Sequence, residues 1–240
     1  MKIESDIFDP YVRRARLQPA MLVALPFALA TLAWAPGGAL GWSVLWSLLV
    51  WCGGTALLAQ VARDRGRKKE ADLFRSWDGK PTTRLLRHRD TTNATVLSRR
   101  HKRLQRLVTG IRIPTKEEER ADPKGADNVY EACTKFLLER TRKKDDFPLV
   151  FEENCNYGFR RNLWGMKPIG IVLSVVGTLA VAIIIGFDIR RGIAVGPIIP
   201  AALVINAALL LGWLFYFKPD WVRTTAEAYA ERLLAACEVL

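Results

Sequence analysis

Four apolar runs divide this chain, and each is about as long as a bilayer core is thick, for which about 20 helical residues suffice. They are Leu17–Trp34, Ala39–Ala62, Ile169–Phe187 and Ile193–Phe217. No Asp, Glu, Lys or Arg lies deep within any of them. The expected fold class is therefore an all-α integral membrane protein, with four transmembrane helices as two hairpins and a helical cytoplasmic domain between them. The implied division is an N-terminal segment 1–16, hairpin 1 at 17–62, a basic domain at 63–168, hairpin 2 at 169–217 and a C-terminal helix at 218–240.

Charge sets the orientation. The chain has 240 residues and a formal charge of +12, and residues 63–167 hold 27 Lys and Arg against 16 Asp and Glu. Arg13, Arg14 and Arg16 precede the first run, and Arg63, Arg65, Arg67, Lys68 and Lys69 follow the second. Basic flanks stay on the cytoplasmic side, which places both termini and the central segment inside. Asp188-Ile189-Arg190-Arg191-Gly192 then falls outside, its two arginines outweighed by the central excess. A charged start followed by Ala33-Trp34-Ala35 would also suit a cleavable signal peptide. The run is long for that purpose, and Pro36-Gly37-Gly38 turns directly into the second run, where Trp34 and Trp42 flank the outer turn.

Inside the runs, small residues recur every fourth position at Gly170, Ser174, Thr178, Ala182 and Gly186. Such a stripe lets helix backbones approach closely. Asn206 sits alone in the fourth run, as an interhelical hydrogen-bonding group or, in an oligomer, as a pore-lining amide. The lack of an intramembrane ionisable group argues against proton- or sodium-coupled transport.

The central segment reads as helical. Leu97, His101, Leu104 and Val108 share one face, while Arg99, Arg100, Lys102, Arg103 and Arg106 cover the other. Such a basic amphipathic helix suits an anionic lipid or a nucleic acid, against the plainer reading of a solvated face near the positive-inside border. Thr115 with Glu118 makes a capping box. Asp122-Pro123 opens a helix over 124–143 with Val129, Tyr130, Cys133, Phe136 and Leu137 as its buried stripe. Phe147–Phe151 is the one short strand-like run.

Polar groups then crowd the approach to the third run, in Glu152-Glu153-Asn154-Cys155-Asn156-Tyr157-Gly158-Phe159-Arg160-Arg161-Asn162. Guanidinium forks match anions bidentately. Arg99, Arg100, Arg103, Arg160, Arg161, Asn156 and Tyr157 are thus the candidate ligand-binding residues, against the plainer reading of an ionic clamp on the helix ends. Tyr11-Val12-Arg13-Arg14 also echoes Gly158-Phe159-Arg160-Arg161.

Catalytic motifs are missing. The sequence has no P-loop, no G-x-G-x-x-G, no G-x-S-x-G and no H-E-x-x-H, and His88-Arg89-Asp90 lacks the rest of a kinase signature. Cys52, Cys133, Cys155 and Cys237 have no zinc spacing. The expectation is a protein that is not an enzyme and carries no cofactor or metal.

The order of hairpin, helical insert, Cys155-Asn156-Tyr157-Gly158-Phe159-Arg160-Arg161-Asn162 and second hairpin resembles, across the whole chain, the four-transmembrane effectors of bacterial nucleotide-signalling anti-phage defence systems. That resemblance implies a homo-oligomeric pore in the inner membrane. A nucleotide-type ligand made by a partner nucleotidyltransferase would gate it, and its opening would depolarise the cell. The competing expectation is a non-conducting membrane scaffold that recruits an acidic protein or a nucleic acid.

Overall fold

The computed structural model describes the backbone of residues 9–34, 42–91 and 93–240, and their side chains except those of 34 and 42–53. All regular structure among them is helical. The chain forms two compact units, Met1–Lys69 with Gly158–Trp221, and Glu70–Tyr157 with Val222–Leu240. The second unit takes in the C-terminal segment, and residues 158–168 of the expected central domain belong with the apolar helices.

Three helices among the described residues are long and apolar enough to cross a membrane, at Pro10–Ala33, Lys167–Arg190 and Ile198–Tyr216. Only 22% and 17% of the most apolar windows of the latter two are buried within the chain. Val172, Val176, Leu179, Ile183, Val204 and Leu211 instead face outward, as a hydrocarbon solvent requires and water would not reward. The second expected span is covered by the helix Trp42–Ser76, but its apolar side chains up to residue 53, including Trp42, Trp46 and Trp51, and the turn at 36–41 lie outside the described residues.

Glycine and other small residues set the register of this unit. A Cβ on Gly158 would meet Ala15 Cβ at 2.9 Å and the Tyr11 hydroxyl at 3.0 Å, and one on Gly177 would meet the Pro26 carbonyl at 2.8 Å. The two contacts ascend together, so Gln18–Trp34 and Lys167–Arg190 lie parallel. Gly170 packs under the indole of Trp213, and Gly177 faces Asn206, so Lys167–Arg190 and Ile198–Leu211 lie antiparallel. The echo between residues 11–14 and 158–161 is therefore a physical contact between matching helix segments.

The small-residue stripe turns out differently from its spacing. Gly170, Ser174, Gly177 and Val181 are the buried positions, whereas Ala182 and Gly186 are exposed. A residue of an α-helix advances about 100°, so every fourth position drifts about 40° per step off a straight face. Only the first half of an i+4 stripe can stay against one neighbour.

In the second unit the capping box at Thr115 and Glu118 forms. Asp122 caps Pro123–Arg140 through the Gly125 N–H at 2.9 Å. Tyr130, Cys133 and Leu137 are fully buried with Leu86, Leu104, Leu233, Leu234 and Cys237 in one core. The thiols of Cys133 and Cys237 are free and buried, and Cys155 is buried too. The strand-like run at 147–151 is helical from Pro148 onward, because Pro148 opens the helix Pro148–Gly165; a proline suits a first helical turn, where its missing N–H has no partner to lose.

Arg87 pins the first turn of this unit. Asp78 (φ 60°) and Gly79 (φ 121°) reverse the chain, and a Cβ on Gly79 would stand 2.8 Å from Arg87 Nη2. Arg87 donates to the Asp78 carbonyl at 2.7 Å and, bidentately, to Asp127 at 2.8 and 2.6 Å. Burial opposes its charge, but Asp127 and Asp90 outweigh that and hold the guanidinium firmly protonated.

Candidate functional site

The helix Pro148–Gly165 turns the dense polar stretch through successive faces, so its members separate. Tyr157 is buried and donates its hydroxyl to Glu70 Oε1 at 2.5 Å. Its ring lies parallel to that of Tyr229, with centroids 6.1 Å apart and an interplanar angle of 10°. These groups form one wall of a cavity of about 260 Å³ within the second unit. Phe74, Leu138 and Leu233 supply apolar walls, and Lys80, Glu131 and Lys135 stand at its polar side.

The charges around this cavity are unequally satisfied. Lys80 pairs with Glu131 at 2.7 Å, and Glu70 accepts from Tyr157. Lys135 is exposed and has no ion pair among the described residues. Both carboxylates are thus already engaged while one ammonium is not, which leaves the cavity suited to a compact ligand with an apolar body and an anionic end.

The arginines named from sequence are spread over both units and hold protein partners. Arg99 pairs with Glu238 at 2.7 Å, Arg100 with Glu231 at 2.5 Å, and Arg103 donates to the Cys237 carbonyl at 3.0 Å. Arg100 does not belong to the solvated face: it is 8% exposed, being three residues from Leu97 and four from Leu104 on the core side of Ala94–Leu107. In the first unit, Arg160 lies over the Trp221 ring at 4.7 Å and donates to the Trp221 carbonyl at 2.7 Å. Arg161 donates to Asn162 Oδ1 at 3.2 Å. Asn156 makes a long contact to Glu153 at 3.5 Å and does not line the cavity. Of the seven named residues, Tyr157 alone lines it.

Asn162 and Asn206 have packing positions. Asn162 donates to the Ala15 carbonyl at 2.7 Å. Asn206 is fully buried inside the single chain and its amide N–H contacts the Pro26 carbonyl at 3.4 Å. Within the single chain, Asn206 therefore makes an interhelical contact.

A second polar centre surrounds Glu119, which the sequence did not single out. This buried carboxylate accepts from the His88 N–H at 2.7 Å, the Tyr130 hydroxyl at 2.8 Å, and the backbone and side chain of Arg89, both at 3.2 Å. Burial raises its pKa, but these donors prevail and the carboxyl is held below its ordinary range. His101 stacks on Tyr130 and meets His88 edge-on at 4.9 Å. Burial lowers the pKa of His101. The only sequence sign of this centre is a capping-box helix with two more acids than its cap requires.

Comparison of the chain with protein-family models, with curated proteins and with solved structures finds no match.

Proposed function

We propose that this chain is a multi-pass effector of the bacterial inner membrane, with four transmembrane helices as two hairpins and both termini cytoplasmic. Copies assemble into a homo-oligomeric channel or pore that a small anionic ligand controls through the extramembrane helical unit. The observation that carries this reading is the bond between Glu70 and Tyr157. Glu70 belongs to Trp42–Ser76 and Tyr157 to Pro148–Gly165, the helices along which the chain passes between its two units. A ligand beside Tyr157 acts on both helices at once, and it biases closed against open by its differential affinity for the two states.

The outward apolar side chains of Lys167–Arg190 and Ile198–Tyr216 support the membrane assignment, and the exposed Ala182 and Gly186 offer a surface on which a second copy packs closely. In keeping with the resemblance noted from sequence, the ligand is of nucleotide type and comes from a partner nucleotidyltransferase, and the output is depolarisation in anti-phage defence. The small cavity favours a single-ring ligand over a larger one.

The test is membrane potential, read with a voltage-sensitive dye in bacteria expressing the chain with and without a nucleotide-making enzyme. Depolarisation that Tyr157→Phe alters, at unchanged protein level, supports the reading. A membrane that stays polarised in every arm overturns the channel in favour of the scaffold.

A further inference from the structure

Three polar groups in the apolar heart of the first unit have no hydrogen-bond partner among the described residues, and a fourth lacks its usual intrahelical donor. Asn206 and Ser174 are both fully buried, and neither Asn206 Oδ1 nor Ser174 Oγ is hydrogen-bonded. Trp213 Nε1 is also buried and unpartnered. The fourth is the Leu22 carbonyl, because Pro26 lies inside Gln18–Trp34 and has no N–H to offer it.

These groups share one seam. Gly177 faces both Asn206 and the Pro26 carbonyl, Ser174 precedes Gly177 by nearly one turn, and Trp213 packs on Gly170, one turn further along. Since Gln18–Trp34 runs parallel to Lys167–Arg190, Leu22, one turn before Pro26, comes level with Ser174. The Asn206 amide is oriented by its N–H contact to the Pro26 carbonyl at 3.4 Å, which turns its oxygen away from that carbonyl. Ser174 does not bond back along its own helix with its hydroxyl, although Thr178 does so with the Ser174 carbonyl at 2.7 Å.

We propose that this seam is a built water site, in which ordered water donates to Asn206 Oδ1 and the Leu22 carbonyl and bridges the hydroxyl of Ser174 and the N–H of Trp213. Two acceptors, one donor and one hydroxyl that can do either are the complement that water, with two donors and two lone pairs, satisfies. Leaving such groups bare in a medium without water costs several kcal/mol each. A bare cation is disfavoured, since no Asp, Glu, Lys or Arg lies in 18–34, 168–187 or 193–217 and a charge without a counter-charge is costly there. The joint at Pro26 is therefore wet although it is lined by a lipid-facing bundle, and this inference stands whether or not the chain conducts.

Hydroxyl-radical footprinting of the full chain in lipid nanodiscs, read by mass spectrometry, tests it, because radicals generated at bound water label adjacent buried side chains. Pro26, which is buried, is expected to be labelled, with the label lost in Asn206→Leu and reduced in Ser174→Ala. Ser174→Ala removes the hydroxyl and keeps the packing, so it serves if Asn206→Leu does not fold. Background labelling at Pro26, or labelling indifferent to Ser174→Ala, overturns the proposal. So does labelling that changes when sodium is exchanged for choline, which would assign the seam to an ion.

Discussion

Asn162 donates its side-chain N–H to the Ala15 carbonyl at 2.7 Å, and Ala15 is the central residue of a π-helical turn, Arg13–Leu17. A π turn widens the helix and displaces carbonyls from their usual donors, so a partner from a neighbouring helix holds it open. Replacing Asn162 by Leu leaves that buried carbonyl bare and is expected to destabilise the protein by about 1–3 kcal/mol. Thermal unfolding in detergent is the check, and Asn162→Gln should fare no better because Gly66 abuts the carboxamide.

A Cβ on Gly165 would stand 2.6 Å from the Gly66 backbone nitrogen, so main chain meets main chain where Pro148–Gly165 crosses Trp42–Ser76. No rotamer change relieves a clash with backbone. Gly165→Val is expected to abolish the monodisperse peak in size-exclusion chromatography, whereas Gly196→Val, at a loop position with open space around it, should preserve it.

Glu119→Ala removes one acceptor from four donors inside the second unit. The expected loss is about 3–5 kcal/mol, the usual cost of orphaning a buried, charge-assisted network. Urea unfolding measures it. Glu119→Gln should recover part of the loss, since its amide oxygen still accepts from two of the donors.

Acid should weaken the second unit in two stages. Burial depresses the pKa of His101 below the ordinary 6.5, so the unfolded chain binds that proton more readily and stability falls as pH drops through 6.5. Glu119 is held below its ordinary 4.5, so its contribution is intact above 4.5 and is lost on further acidification. Circular dichroism melts at stepwise pH should show both, and His101→Phe should remove the upper stage.

Much of this was legible in the sequence where the signal is local. The caps at Thr115 and Asp122, and the stripe at Tyr130, Cys133 and Leu137, follow from spacing because caps and helix faces involve neighbours three and four residues apart. Arg100 was misassigned because its charge outvoted its phase. It occupies a core position, made tolerable by Glu231, 131 residues away, and no local pattern reveals such a partner. Glu70, Lys80 and Glu131 were missed for the same reason: a cavity is a product of long-range packing. Gly66 was visible as a glycine in a run of charges, a costly choice within a helix, and its explanation lay on another helix.

Burial gives the cysteines of the second unit a use in measurement. The Cys133 thiol is enclosed and pushed up to about 11, and Cys237, equally enclosed, is also raised. Alkylating reagents attack thiolates, so both are unreactive while their helices stay packed. The rate at which they become modified therefore counts how often that unit opens, and the native chain reports its own fluctuations without an introduced label.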